Sequence, residues 1–147
     1  HVQCHYRIAD ILREVGIVNM SAEAQVESGV TSVFFPHGLG HFLGLQVHDV
    51  GGFQRDESGG SIERPAGHPY LRLTRKLEPG HVVTVEPGIY FVPMLLAKLR
   101  ESPGTGSVNW PLVEKLLPFG GIRIEDDVHV TDGAPENLTR AAFAALS

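Results

Sequence analysis

The residues best able to do chemistry lie between Pro36 and Gly52, in the run PHGLGHFLGLQVHDVGG. His37, His41 and His48 stand four and seven residues apart, and Asp49 is available to orient one of their rings. Imidazole titrates near neutrality and ligates metals. Three within twelve residues therefore point to a metal or proton-transfer site rather than to satisfied core histidines. The spacing is not the helical His-Glu-x-x-His of zinc proteases, so that reading fails. The interleaved glycines allow tight turns and close backbone approach.

Two carboxylates join the histidines. Glu86 ends the apolar run His81–Val85 and precedes Pro87-Gly88, where a carboxylate is poorly solvated. Such a group needs a cation or several hydrogen-bond donors, and pairing with an arginine would serve as well. Glu125 lies in the run Ile122–Val130, whose alternation puts Arg123, Glu125, Asp127 and His129 on one face. Ile122, Ile124, Val128 and Val130 share the other face with Asp126. An ordinary half-exposed strand would look the same.

Several elements must position these residues. Cys4, Ile8, Ile11, Leu12 and Val15 recur at helical spacing, and Gly16 sits where a C-terminal cap belongs. Ser21 is placed to cap a short helix from about Ala22 to Ser28, stopped by Gly29. Residues 33 to 53 read as strands joined by tight turns, and residues 59 to 69 as a polar loop. Strands are predicted at His81–Val85, Ile89–Val92 and Ile122–Val130. A helical turn is expected over Leu95–Arg100, a flexible stretch over Ser102–Ser107, and a helix after Asn109 that Gly120-Gly121 breaks.

Composition narrows the function classes. At 147 residues the chain fits one domain with a real core. A formal charge of −5 gives no electrostatic footprint for nucleic acid. No apolar stretch approaches a membrane span, and the opening residues do not read as a signal peptide. The single cysteine, Cys4, rules out an internal disulfide framework and fits a reducing, cytoplasmic setting.

Three segments carry a resemblance: Pro36–Gly52, Val85-Glu86-Pro87-Gly88-Ile89-Tyr90 and Gly121-Ile122-Arg123-Ile124-Glu125-Asp126. His41 and Glu86 are 45 residues apart, and Glu86 and Glu125 are 39 apart. In order and separation the segments resemble the signature regions of Xaa-Pro dipeptidases, or prolidases. The likeness is to the bacterial branch, which includes organophosphorus acid anhydrolases, and covers essentially the whole chain. It implies an α+β pita-bread metallopeptidase fold, with residues 1–147 forming its second half as a curved antiparallel sheet with flanking helices.

The resemblance also implies roles. His41, Glu86 and Glu125 match three of five ligands of a dinuclear site, most often filled by Mn²⁺, with Co²⁺ or Zn²⁺ as alternatives. In the family, a water activated by the metals attacks the peptide carbonyl of a dipeptide ending in proline. Glu86 matches the general base, His48 a residue contacting the scissile peptide, and His37 lines the same pocket. Arg72 matches the arginine that grips the proline carboxylate, and Arg123 stands beside Glu125 at the substrate site. The two remaining family ligands are aspartates that would precede His1, so the chain is expected to be a truncated part, weak or inactive alone. Its uncovered apolar surface would need the missing N-terminal half or a homo-oligomer partner. Two other readings stay open: a metal-poor interaction module, and a self-associated mononuclear hydrolase.

Overall fold

Local sequence rules account for the helices of the computed structural model, which describes residues 1–146. Helix α1 (Val2–Glu14) ends as predicted, with Gly16 at φ 75°. Helix α2 (Ala22–Glu27) begins where the Ser21 side chain accepts the Ala24 N–H, and Gly29, at φ 74°, starts α3 (Val30–Phe34). A hairpin of β1 (Gln54–Asp56) and β2 (Gly59–Ser61) follows, then β3 (Val82–Val85), β4 (Gly88–Tyr90) and α4 (Pro93–Arg100). Helix α5 (Trp110–Leu116) starts at Asn109, whose side chain accepts the Leu112 N–H. The chain finishes with β5 (Gly121–Arg123), β6 (Asp126–His129), β7 (Glu136–Asn137) and α6 (Leu138–Ala145).

These elements form two units. The first comprises residues 1–37 and 88–123. Its core gathers the apolar stripe of α1 (Ile8, Ala9, Leu12) with Phe34, Phe35, Phe91, Leu96, Leu99 and Val113. Gln25 is buried there and donates to the carbonyls of Ala9 and Met20 at 2.9 and 3.2 Å, which joins α2 to the middle of α1. In the same unit β4 pairs antiparallel with β5, Ile89 opposite Ile122.

The second unit holds residues 38–87 and 124–146 of the described chain. Its sheet runs β3-β6-β7, all antiparallel. A further arm, residues 39–43, lies along the free edge of β3. Its bonds are Leu43 N–H to Val82 O (3.0 Å), Thr84 N–H to His41 O (2.9 Å) and Glu86 N–H to Leu39 O (2.7 Å). Helix α6 is pinned to β6 by polar contacts: Arg140 Nη2 lies 2.9 Å from Asp126 Oδ1, and Thr139 Oγ1 accepts the Asp127 N–H at 2.9 Å. Hydrogen bonds from Asn137 and then Arg140 hold the Asp126 carboxyl below the usual carboxylate range.

Several expectations need correction. Residues 33 to 53 are not a series of strands. Val30–Phe34 is helical, Val50–Phe53 is a 3₁₀ turn, and only the arm around the Phe42–Val83 bridge is extended. Close-set glycines supply turns instead of a ladder, and β-branched composition does not override them. The long strand Ile122–Val130 is two strands. They part opposite Pro87, which has no N–H to donate; Ile124 N–H still reaches Pro87 O at 3.1 Å. Its apolar face is not covered either, for Ile122 and Ile124 are 66% and 56% exposed. The stretch Ser102–Ser107 also carries a 3₁₀ turn over Pro103–Ser107, with the Trp110 indole N–H donated to Thr105 O at 3.1 Å. Helix α6 was not foreseen. It buries no side chain, so its short apolar pattern had no core to answer to.

Gly40 shows how tightly the arm is seated. A Cβ there would overlap the Thr84 carbonyl oxygen, a backbone atom that cannot turn aside. Gly40→Ala is expected to lower stability by about 1–3 kcal/mol, the usual cost of forcing an extra carbon into a packed site. Urea unfolding would measure it; an unchanged midpoint would show that the arm is not clamped onto β3.

Candidate metal centre

The register of the second unit decides which side chains meet. Val85 lies opposite Asp126 on β6, and Ile124 N–H reaches Pro87 O, which places Glu86 across from Glu125. On the other edge of β3 the arm sets Phe42 opposite Val83, and so His41 opposite Thr84. Period-two alternation then puts His41, Thr84, Glu86 and Glu125 on one face. One nitrogen of His41 and one oxygen from each of Glu86 and Glu125 lie within 4.8 Å of one another. His41 and Glu86 are buried, while Glu125 is exposed.

The imidazole is oriented by its own backbone. His41 Nδ1 lies 2.9 Å from the Phe42 carbonyl oxygen, which can only accept, so Nδ1 carries a proton. Nε2 is thereby turned toward Glu86, 3.3 Å from Oε1. In the neutral ring these two atoms are both acceptors and need a proton or a cation between them. Two carboxylates facing each other across a ladder carry the same requirement, because like charges directly opposite are destabilising. One imidazole nitrogen and two carboxylates form a donor set that suits a divalent cation. The residues fit such an ion.

The remaining predicted residues are distributed unevenly. The His48 ring stands edge-on to His41, centroids 4.4 Å apart, on an exposed loop. Arg72 is also exposed in the second unit, and its main chain packs against Gly52, where a Cβ would overlap the Arg72 carbonyl oxygen. Asp49 does not orient a histidine ring. Its Oδ1 accepts the Gly51 N–H at 2.8 Å as the cap of the 3₁₀ turn, and the ring-orienting acceptor for His41 is the Phe42 carbonyl. His37 belongs to the first unit, where its Nε2 lies 2.9 Å from the Tyr90 hydroxyl. Arg123 ends β5 in that unit, its backbone opposite Gly88.

Two residues at the site escaped sequence reasoning. Thr84 lies inside the run Val82-Val83-Thr84-Val85, where it passes for one more β-branched strand residue; a hydroxyl at position i−2 from a buried carboxylate was the available signal. Phe42 acts through its main-chain oxygen, for which a sequence gives no signal.

A divalent cation at this face should stabilise the folded chain by mass action. At about 100 times its dissociation constant Mn²⁺ is expected to add about 2.7 kcal/mol. Thermal melts with and without the ion would read this as a raised Tm that disappears in His41→Ala. A rise that persists in that variant would place the ion elsewhere.

Comparison with known proteins identifies the family. Residues 2–132 match the family described as Metallopeptidase family M24. An Xaa-Pro dipeptidase of Xanthomonas campestris pv. campestris (strain B100) is 59% identical over 145 residues, covering 99% of this chain and 33% of that protein. One from Stenotrophomonas maltophilia (strain K279a) is 54% identical over 147 residues, again 33% of its length. The chain thus spans about a third of these curated relatives. Among solved structures, Escherichia coli aminopeptidase P with the inhibitor Pro-Leu superposes with a TM-score of 0.60 at 32% identity, over 95% of this chain and 25% of that one. The zinc-substituted enzyme in complex with product gives 0.59 at 32% identity, covering 24% of its chain. The fold is therefore the α+β pita-bread type, and the chain belongs to metallopeptidase family M24.

Proposed function

We propose that this chain supplies His41, Glu86 and Glu125 to the active site of an Xaa-Pro dipeptidase, a metal-dependent hydrolase of dipeptides ending in proline. The observation that carries the reading is the convergence of these three donors within 4.8 Å, in a chain 54–59% identical to proteins named Xaa-Pro dipeptidase. Mn²⁺ is the preferred ion, since ligation by mostly oxygen with a single imidazole suits it. A divalent cation supplies, when bound, Lewis acidity toward the peptide carbonyl and a lowered pKa for water.

The chain's own residues divide the rest of the work. Glu86, with its Oε1 held by the Thr84 hydroxyl, is placed to take a proton as general base. His48, beside His41 on an exposed loop, offers a ring nitrogen to the scissile peptide. The Arg72 guanidinium, a planar fork matched to a carboxylate, would hold the proline end of the substrate. His37 and Arg123 are assigned to the same pocket on the strength of the family resemblance.

The reading extends to organisation. Residues 1–147 would be the second half of the catalytic domain of a longer, truncated enzyme, with the two further metal ligands provided from outside these residues. Exposed Leu45, Val47, Phe143 and Leu146 support a covering partner, either that other half or a second copy. Cys4 as a free thiol fits the cytoplasm. A mononuclear hydrolase remains the second reading, because three protein ligands suffice to hold one catalytic ion.

The test is cleavage of Ala-Pro by the purified chain with Mn²⁺, alone and mixed with the preceding part of the Xanthomonas relative's catalytic domain. Activity is expected in the mixture and should be lost in His41→Ala. A folded mixture that hydrolyses nothing above buffer would sink the proposal, and activity of the chain alone would select the mononuclear reading. In the competent mixture Arg72→Ala should raise KM for Ala-Pro by an amount worth about 2–5 kcal/mol, the usual cost of orphaning a charged partner. An unchanged KM would remove Arg72 from the substrate site.

A further inference from the structure

The run Val82-Val83-Thr84-Val85 poses a question that packing does not answer. Position 84 is 3% exposed, a place where valine would fill the same volume without burying a hydroxyl. The structure shows what the hydroxyl does. At a hydrogen-bonded position of a regular antiparallel ladder the two opposed residues exchange both main-chain bonds. Here Thr84 N–H donates to His41 O at 2.9 Å, but His41 N–H donates to the Thr84 hydroxyl, at 3.0 Å, rather than to its carbonyl. A hydroxyl has one proton, and with a lone pair already taken by His41 that proton points to Glu86 Oε1, 3.1 Å away. The oxygen so held is the one facing His41 Nε2 at 3.3 Å.

We infer that Thr84 is the positioning residue of this centre: its hydroxyl ties the main chain of His41 to the carboxylate of Glu86 and sets the spacing of the two side chains. The inference deepens the proposed metal site and rests on it for its consequence, a tighter grip on the cation. Partners of this kind around metal ligands commonly change affinity by about 10–100-fold when removed.

Two substitutions isolate the hydroxyl. Thr84→Ser and Thr84→Ala both delete the methyl group, and only serine keeps the two hydrogen bonds. Thr84→Val keeps the volume and guards against an alanine variant that fails to fold. The first readout needs no metal: amide exchange of the His41 N–H, followed by NMR. Exchange should accelerate in the alanine and valine variants and stay slow in the serine variant. The second is the Mn²⁺ dissociation constant from electron paramagnetic resonance titration, expected to rise about 10–100-fold in alanine or valine and to remain near the parent value in serine.

Equal exchange in serine and alanine variants would overturn the inference, as would equal Mn²⁺ affinity. Should the unsubstituted chain, mixed with the preceding part of the relative's catalytic domain, take up no Mn²⁺, the proposed function falls by itself. The exchange comparison would then still decide whether the hydroxyl holds His41.

Discussion

Two carboxylates of like charge facing each other across a strand pair are an unfavourable arrangement, and the second unit is organised around tolerating it. Glu86 and Glu125 are placed opposite by the β3-β6 register, and no side-chain rotation moves a Cα along that ladder. The arm at residues 39–43 brings the imidazole of His41 to the same face from the other edge of β3. That juxtaposition sacrifices stability locally and forms the candidate cation-binding face. The ladder bonds, the Thr84 hydroxyl and the pinning of α6 through Asp126 and Arg140 offset that sacrifice nearby.

The first unit is built on a different principle. Its core is larger and mostly apolar, with Phe34, Phe35, Leu12 and Val18 buried alongside three polar side chains, His5, Gln25 and Thr31. The second unit buries Phe42, Leu71 and Val83, but also His41, Thr84 and Glu86. Burying that many polar groups is tolerable only where each has a partner. Apolar packing thus takes the larger share in the first unit, and polar bonding a larger share in the second. The candidate metal ligands sit where polar groups make up half of the buried side chains.

Much of this was legible before any coordinates. Helical periodicity with Gly16, Ser21 and Asn109 as punctuation located α1, α2 and α5, because capping is a local matter of one side chain and one N–H. His41, Glu86 and Glu125, singled out by residue type and by the family resemblance, are brought together within 4.8 Å. What stayed hidden depended on partners far along the chain. Alternation in Ile122–Val130 could not disclose that Pro87 would interrupt the pairing, nor that Ile122 and Ile124 would be left open to solvent. Asp49 was read as a ring-orienting carboxylate because it adjoins His48 in sequence. The nearer claim came from the Gly51 amide two residues on, a turn habit of aspartate that competes with longer-range contacts.

The Phe42 carbonyl accepts twice, from His41 Nδ1–H and from the Asp49 N–H at 3.1 Å. That shared acceptor governs motion as well as orientation. The loop between them cannot swing open from its base without stripping Asp49 of its bond, and Leu43 is fastened to Val82 at the other root. Between these roots the tip, residues 44–48, is exposed and carries Leu45, Val47 and His48, with one internal bond from Gly44 N–H to Gln46 O at 3.2 Å. Loop tips of this size rearrange in nanoseconds to microseconds. The tip can therefore change pose while His41 keeps its bearing, so that adaptability and fixed orientation are assigned to adjacent residues of one short segment.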